Sequence, residues 1–587
     1  MRPISIPLFA RTLRDTLTGT AHTDELHLDA LRWLPTALFF ACIAFYGIYL
    51  SVMQAQWVWS GEMWAEMATN YFVNANAPSL VANLFAIDAG YVPLPQRLLA
   101  WMGHLLRLPA AVIPFFYTWS AILITGALVA TFCLRPFRAL VKSDWSRFFV
   151  AISVLLVADF ETRTFINFTY FIAFFVAIVS ALAIVNRSSD VPWWAWCIPV
   201  LMVSKPALLA VLPTMVMAAL VCQERFRRVV YVTVFLCSVH LLVMIFGLPS
   251  NPVAGATEHG LLEKLLATAQ YFIGFAGAFF VGKNVSQNLV NPLASGLIFL
   301  ALCAFAVYAK RSRANALILV GTSLLFLNVL LNAFAMADSW NEDMHRLAGT
   351  PVYRHIIVGY FGVILVVVAL SELLSEHPWA RAISRRLSMG PILYLLWFVL
   401  SGWLASANTL NRAPGVPAIF NSQWQLMSET IDGGEPVCVP VDPIGWIFER
   451  NCQMLNIDVS WGKTYKFERL PTTGERGTLA VTPLPVPPHV DLMSLAVLAK
   501  PPTHEPLLAT AKAVFHMKDG STRYLRGARQ LRAAGGLIHF TGKGVIPFAD
   551  IQAVALEFDT PVELAYVIEA AASKPAIIWM GQVRPAE

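Results

Sequence analysis

The sequence predicts a polytopic α-helical membrane protein of about eleven spans, closed by a C-terminal extracytoplasmic domain that resembles a β-sandwich. Only 13% of the 587 residues are charged and 57% are hydrophobic, whereas roughly 25% of the residues of a soluble globular protein are charged. Apolar runs of membrane length recur as far as residue 408, and short alternating runs replace them beyond it. The net charge of +6 is small for this length and gives no indication of a nucleic-acid partner.

The N-terminal segment and the membrane domain follow from hydropathy. Residues 1–33 mix charges and have no apolar core with a small-residue cleavage site, so we predict a cytoplasmic segment and not a signal peptide. The membrane domain covers 34–408. Its predicted spans, each near the length of roughly 20 apolar residues that a bilayer requires, are 34–52, 110–133, 147–160, 165–186, 229–248, 290–309, 314–336, 355–373 and 390–408.

The apolar run 192–222 is too long for one span and has Lys205 near its centre. Pro206 follows the lysine, and a proline cannot continue the hydrogen bonding of a helix. We therefore predict two short spans, 192–203 and 207–222, that meet at a corner on the outer face.

Basic residues predict which loops face the cytoplasm, where Lys and Arg collect. Five loops carry them: Arg135, Arg138, Lys142 and Arg147; Arg187; Arg225, Arg227 and Arg228; Lys310, Arg311 and Arg313; and Arg381, Arg385 and Arg386. Residues 266–282 suit a span, a re-entrant segment or a surface-lying segment. All five basic loops fall on the same side of the membrane if this segment does not change the parity of the membrane crossings. The loop 53–109 and everything after residue 408 are then extracytoplasmic.

The segment 409–587 is predicted to be β-rich. Its short alternating apolar runs are separated by turn signals such as KDGS and TGKG, which is typical of strands and hairpins. Cys438 and Cys452 are its only cysteines, and an oxidising compartment would let them form a disulfide; the alternative is two free buried thiols. The domain either binds glycan or caps the site structurally.

Polar residues gather at the outer ends of the predicted spans, where ionisable groups are expensive and point to function. Lys205 either contacts a phosphate or extends to the lipid headgroups. Arg354 either binds a phosphate with its planar guanidinium or anchors headgroups. Arg163 and Asn167 either face an anionic headgroup and a sugar hydroxyl or belong to a solvated loop of mutually paired charges.

Glu62 and Glu66 lie in the first outer loop among several aromatic residues. Because they are four residues apart, they would share one face of a helix lying in the membrane interface. A half-buried carboxylate there can have a raised pKa and act as a general base. The alternative is an amphipathic interfacial helix whose acids are solvated.

Four strings occur in order: AGYVPLPQRLLAW (89–101), TRTFINFTYFIAFF (162–175), VSKPALLAVLPTMV (203–216) and VYRHIIV (352–358). Together with the long acidic first loop, they resemble the GT-C superfamily of integral-membrane glycosyltransferases, over residues 30–410. Those enzymes transfer a sugar from a polyprenyl-phosphate carrier to an acceptor on the outer face. The resemblance implies a multi-pass enzyme of the bacterial inner membrane. It would use a lipid-linked sugar donor and an envelope glycan or glycolipid acceptor among membrane lipids, with no nucleic acid.

The resemblance also implies roles for particular residues in an inverting transfer of a hexosyl or pentosyl group. Glu62 is the expected base, with Asp88 the runner-up and Glu66 a further candidate, although the adjacent acids common in the superfamily are missing here. The expected phosphate- or donor-binding residues are Lys205, Arg163, Arg354 and Arg97, and those that position sugar or acceptor are Tyr91, Asn167, Tyr170, Tyr353 and His345. No cofactor is required; a divalent cation is compatible with this chemistry, and no metal site is predicted.

Other function classes stay open. A lipid-linked glycan polymerase or ligase would use the same outer cavity with lipid-diphosphate substrates. A flippase would need intramembrane charges at several depths, whereas the charges here concentrate at the outer ends of spans. A non-catalytic scaffold would bind through its β domain.

Overall fold

The protein divides into two compact units that the chain enters in turn. A computed structural model describes residues 32–88, 90–185, 192–221, 224–246, 260–282, 291–335, 354–377, 389–412, 422, 424–434, 437–442, 446–450, 468–469, 472–473, 476–481, 491–503, 505–531, 536–547, 550–571 and 577–581. The first unit, the membrane unit, consists of Met1–Gln54, Leu80–Leu99 and Thr118–Val416. The second, the sheet unit, consists of Ala55–Ser79, Ala100–Tyr117 and Pro417–Glu587.

Helices dominate the chain as far as residue 432. The α-helices are α1 Leu34–Met53, α2 Ala55–Ser60, α3 Val73–Ala75, α4 Leu80–Leu84, α5 Leu94–Leu105, α6 Ile113–Ala130, α7 Asp144–Leu156, α8 Phe160–Arg163, α9 Ile172–Val185, α10 Ile198–Met202, α11 Leu212–Val221, α12 Glu224–Phe246, α13 Leu261–Val281, α14 Pro292–Ala309, α15 Asn315–Ala335, α16 Ile357–Ser375, α17 Met389–Leu400, α18 Trp403–Arg412 and α19 Trp424–Asp432. Tighter 3₁₀ turns cover Thr131–Cys133, Arg135–Ala139, Phe168–Phe171, Trp193–Cys197 and Pro206–Val211, and Met67–Phe72 is a π-helix.

The described residues include eight helical segments that are long and apolar enough to cross a membrane. They are Leu34–Met53, Ile113–Cys133, Phe168–Val185, Arg225–Phe246, Leu261–Val281, Pro292–Ala309, Asn315–Phe334 and Ile357–Ser375. The chain is therefore a multi-pass membrane protein, as its composition predicts. Leu261–Val281 is one continuous helix, longer than the apolar stretch 266–282, because its first turns include the charged residues Glu263 and Lys264.

Other predicted spans are shorter or broken. The run around Lys205 divides at the predicted place, with α10 ending at Met202 and a new helical segment beginning at Pro206. The span predicted over 147–160 is a helix of 13 residues, Asp144–Leu156. The span predicted over 390–408 is divided at Gly402, whose φ of 79° lies in the left-handed region, where glycine is favoured.

Two of the predicted cytoplasmic loops meet at one end of the membrane unit. Glu376, just beyond α16, accepts hydrogen bonds from Lys142 at 2.7 Å and from Lys310 at 2.6 Å. Nearby, Asp144 pairs with both Arg138 and the fully buried Arg147. Arg354 lies just before the opposite end of α16. The grouping of these two loops at one end agrees with the predicted topology.

The sheet unit contains the β structure predicted for the C-terminal segment. Its strands are β1 Val437–Val441, β2 Trp446–Arg450, β3 Glu468–Arg469, β4 Thr472–Thr473, β5 Arg476–Val481, β6 Asp491–Lys500, β7 Leu507–Met517, β8 Thr522–Leu531, β9 Gly536–Pro547, β10 Ile551–Phe558, β11 Glu563–Ala571 and β12 Ile577–Gly581. Strands β1 and β2 form an antiparallel pair. The other described strands form one antiparallel sheet, ordered β12-β11-β6-β9-β8-β7-β10-β5-β4, with β3 paired to β11.

The long hairpin β7–β8 shows why this segment forms strands. Its register pairs Leu507 with Leu531 and continues to His516 opposite Thr522. Alternate residues of β7 are buried, as expected for a strand with one face on a core. Phe515 belongs to that core together with residues from β6, β8, β9 and β10.

Candidate functional site

Lys205 and Tyr91 meet inside the membrane unit, although 113 positions separate them in the chain. The Lys205 Nζ donates a hydrogen bond to the Tyr91 hydroxyl, and it lies 4.8 Å from the centre of the tyrosine ring. Both residues are buried, with 9% of Lys205 and 6% of Tyr91 exposed. The two segments that carry these residues are joined near the helix break, because the Leu94 amide donates a hydrogen bond to the Val203 carbonyl at 3.1 Å.

The break itself presents a further polar group. The Ser204 hydroxyl is buried, and no described residue gives it a hydrogen-bond partner. A buried polar atom without a partner carries a free-energy penalty, so a ligand oxygen that reached it would be favoured. Ser204 and Lys205 together offer a hydroxyl and an ammonium group at one point.

Arg354 brings positive charge to the same region, beside His355. The Arg354 Nη1 donates to Glu161 Oε2 at 2.9 Å, and side-chain exposures of 36% and 47% make this a partly solvated ion pair. Burial, together with the charges of Arg354 and Lys205, lowers the pKa of the His355 imidazole to about 4. The imidazole is therefore neutral at pH 7 and lies in a positive potential.

Two asparagines of α15 fix the turn that carries His355. The Asn328 and Asn332 side-chain amides donate to the His355 carbonyl at 3.1 and 2.9 Å. The side-chain Oδ1 of Asn328 accepts a hydrogen bond from the Gly359 amide at 3.2 Å. These bonds hold the entry to α16 in one conformation.

Arg163 has a structural role that its sequence context does not reveal. It is 1% exposed, and its Nη2 donates to the Leu155 and Leu156 carbonyls at 3.2 and 2.9 Å. It thus satisfies carbonyls at the end of α7, where a helix leaves acceptors without intrahelical donors. The Asn167 amide likewise donates inward, to the Glu161 carbonyl at 3.1 Å.

Buried polar residues surround this cluster. Asp159 caps α8 by accepting the Thr162 amide at 2.8 Å, and burial raises the pKa of its carboxyl against that bond. Gln96 donates to the Ile166 carbonyl at 2.9 Å. Arg97 and Tyr170 are almost fully buried, with 1% and 5% exposed.

Asp88 lies in the segment that carries Tyr91. The backbones of these two residues exchange hydrogen bonds of 2.8 and 3.0 Å, which closes a tight turn at Gly90, where φ is 84°. Asp88 is 8% exposed. The next amide, that of Val92, donates to His240 Nε2 at 2.9 Å, so the segment is anchored on both sides of Tyr91.

Glu62 and Glu66 belong to the sheet unit. The prediction that one helix carries both residues is wrong. Helix α2 ends at Ser60, and Gly61 and Ala65 have positive φ values of 69° and 45°. Between them, Trp64 forms a parallel bridge with Asp442. The chain is therefore extended where a helix was expected, and the two acids do not share a helix face.

The Glu62 carboxylate binds the N-terminus of α19. Its Oε2 accepts the Ser422 hydroxyl at 2.6 Å and the Trp424 amide at 2.8 Å. Burial raises the pKa of this carboxyl to about 7, although hydrogen bonds from Ser422, Trp424 and Gln425 oppose the rise. Glu62 thus has the raised pKa expected of a half-buried carboxylate, but its carboxylate also has a structural function at the N-terminus of α19.

The predicted site residues therefore fall into three sets. Tyr91, Asp88, Arg97, Arg163, Asn167, Tyr170, Lys205 and Arg354 belong to the membrane unit, and Glu62 and Glu66 belong to the sheet unit. Tyr353, His345, Cys452 and the side chain of Cys438 lie outside the described residues. No site role was predicted for His355 or Ser204, although each is adjacent to a predicted site residue.

The described residues contain no group of three or more His, Cys, Asp or Glu side chains that could hold a metal ion. Comparison of the chain with protein-family models, curated proteins and solved structures found no match. The site must therefore be interpreted from its own chemistry.

Proposed function

We propose that the chain is a membrane glycosyltransferase that moves a sugar from a polyprenyl-phosphate carrier to an envelope glycan or glycolipid. The observation that carries the proposal is that buried Lys205, bonded to Tyr91, and Arg354, paired with Glu161, both act on His355 at one end of the membrane unit. Burial first, and then the charges of these two cations, lower the pKa of the histidine. Such a potential favours an anion, and a lipid-linked phosphate is an anion held at this depth by its own tail.

Each of these side chains has a role in the proposed sugar transfer. The acceptor hydroxyl attacks the anomeric carbon as a carboxylate takes its proton, and the bond from that carbon to the carrier phosphate breaks with its electron pair on the phosphate. Lys205 and Arg354 stabilise that developing negative charge. Neutral His355 and the hydroxyls of Tyr91 and Ser204 supply hydrogen bonds to sugar or phosphate oxygens.

We assign the base role to Asp88. Its backbone is paired with Tyr91, whose hydroxyl contacts Lys205, so it belongs to the segment that holds the cation. Glu62, by contrast, is engaged by the N-terminus of α19. Arg163 is left out of the phosphate contacts because its guanidinium is bonded to the end of α7.

The remaining features extend the proposal. The inner membrane of a bacterium provides polyprenyl-phosphate sugars on its outer face, and we place the cluster on that face because the Lys142 and Lys310 loops lie at the other end of the membrane unit. In this arrangement about eleven segments cross the bilayer, and the β-rich segment is an extracytoplasmic sandwich.

The test is transfer of radiolabelled sugar from polyprenyl-phosphate sugars to an envelope lipid extract by purified protein. Asp88→Asn should abolish transfer, whereas Glu62→Gln, which keeps an acceptor oxygen for Trp424, should retain most of it. Loss in Glu62→Gln with activity in Asp88→Asn would transfer the base role to Glu62. Activity in both variants would refute a carboxylate base at either position.

A further inference from the structure

The sheet unit contains a cavity of about 610 Å³ that the proposed transfer reaction does not use. Its wall includes two arginines and a histidine, Arg107, Arg450 and His104, together with the aromatic rings of Phe72 and Phe448. One acid, Asp432, also lies in the wall. A cavity of this size, mostly apolar with a few convergent polar groups, is typical of a small-ligand site.

The charges of the wall favour an anion. The Asp432 carboxylate already accepts the Ala110 amide, with its two oxygens 2.9 and 3.1 Å from the nitrogen. Arg450 directs its Nη1 to the Ile431 carbonyl at 2.6 Å, which keeps its guanidinium in the wall of the cavity. No described residue makes a hydrogen bond or an ion pair with the side chains of His104 or Arg107. Two arginines against one acid leave a net positive wall.

Arg107 occupies a position that normally belongs to glycine. Its φ is 51°, and it lies two residues beyond Leu105, the last residue of α5. The Leu108 amide bonds the Gly103 carbonyl at 3.2 Å, and the Arg107 amide bonds that of His104 at 2.9 Å. This pair of bonds is the Schellman ending of a helix, whose left-handed residue is usually glycine. A long cationic side chain held there against that preference is typical of a functional position.

Two exposed leucines stand in the chain between two residues of the cavity wall. Leu105 and Leu106, the two residues between His104 and Arg107, are 61% and 60% exposed. Exposed leucines beside cationic side chains suit the boundary of a bilayer, where apolar groups enter the acyl region and arginines meet headgroups.

We propose that this cavity binds a lipid with an anionic phosphate headgroup, separate from the sugar donor. The headgroup enters between Arg107 and Arg450, and its first carbons lie against Phe72 and Phe448. The inference does not depend on the transfer reaction, since it predicts binding by the protein alone.

The test uses the full-length protein in a neutral detergent, titrated with short-chain phosphatidylglycerol and, in parallel, phosphatidylcholine of the same chain length. Binding is measured by microscale thermophoresis. Wild type should bind phosphatidylglycerol about tenfold more tightly or better, the difference expected from one charge-assisted contact. Glycerol phosphate without tails should bind at least about tenfold more weakly than the lipid.

Arg107→Gly separates binding from folding, because glycine is the residue this helix ending prefers. The variant should unfold at a temperature no lower than wild type while losing about tenfold in phosphatidylglycerol affinity. Arg107→Lys should keep most of the affinity, and Arg523→Gln, which removes an exposed arginine of β8 in the same unit, should not change it.

Three results would overturn the inference. They are equal affinity of wild type for the two lipids, unchanged affinity in Arg107→Gly, and binding of glycerol phosphate as tight as that of the lipid. The last result would identify a soluble anion as the ligand.

Discussion

Neutralising Glu62 should make the stability of the sheet unit less dependent on pH. The pKa of this carboxyl rises from an ordinary 4.5 to about 7 on folding. Between these values the folded chain binds a proton that the unfolded chain has released, so stability falls as the pH rises. The contribution is fully present below pH 4.5 and is lost as the pH rises through about 7.

The size of the effect follows from the same shift. One pKa unit is worth 1.36 kcal/mol, which sets an upper bound of about 3 kcal/mol for this rise. Because Glu62 is only partly buried and solvent screens it, we expect about 1 to 3 kcal/mol. For a unit of this size that corresponds to roughly 3 to 10 °C in the unfolding midpoint.

Thermal unfolding in detergent, followed by tryptophan fluorescence from about pH 5 to about pH 8, measures this. Wild type should lose stability across the range, and Glu62→Gln should lose less. Glu429→Gln is the matched control, since Glu429 is an exposed residue of α19. Equal pH dependence in wild type and Glu62→Gln would refute the assignment of a raised pKa to this carboxyl.

Two further substitutions test side-chain packing at Gly61 and ion pairing at Glu376. In Gly61→Ala the new Cβ would stand 2.4 Å from Gln425 Nε2, on a backbone with a positive φ. We therefore expect the free energy of unfolding to fall by about 3 kcal/mol. The control Gly434→Ala, which has open space around the new Cβ, should lose only about 1 kcal/mol, and equal losses in the two variants would contradict the clash. Burial acts to raise the pKa of Glu376, but hydrogen bonds from two lysines outweigh it and lower the pKa. Glu376→Gln should therefore lower unfolding free energy by about 1 kcal/mol at neutral pH. The difference in unfolding free energy between wild type and Glu376→Gln should shrink as the pH falls through the range in which a glutamate usually titrates. A difference that does not depend on pH would argue against an ionised carboxylate paired with the two lysines.

The sequence predicted those features of the fold that depend on local chemistry. Pro206 cannot donate a helical hydrogen bond, and the helix divides beside it. Apolar length predicted the membrane helices, and the bias of lysine and arginine predicted that the loops of Lys142 and Lys310 would share one end.

What the sequence could not show are contacts between distant segments. Nothing near Glu62 indicates that Ser422 and Trp424, some 360 positions away, would bind its carboxylate where the backbone is not helical. The local spacing of Glu62 and Glu66 favoured a helix, and tertiary contacts outweighed that preference. The sequence around Arg163 likewise could not show its bonds to helix-end carbonyls, because an arginine that makes such bonds and one that binds phosphate have the same local sequence.

The most direct test of the account is the dependence of sugar transfer on Lys205. Purified wild type, Lys205→Met and Lys142→Met would be compared with polyprenyl-phosphate sugar donors; Lys142 is 68% exposed and lies at the other end of the membrane unit. We predict transfer by wild type and Lys142→Met, and a loss of about a hundredfold or more in Lys205→Met. Absence of transfer with every donor, or full activity in folded Lys205→Met, would contradict the proposed function.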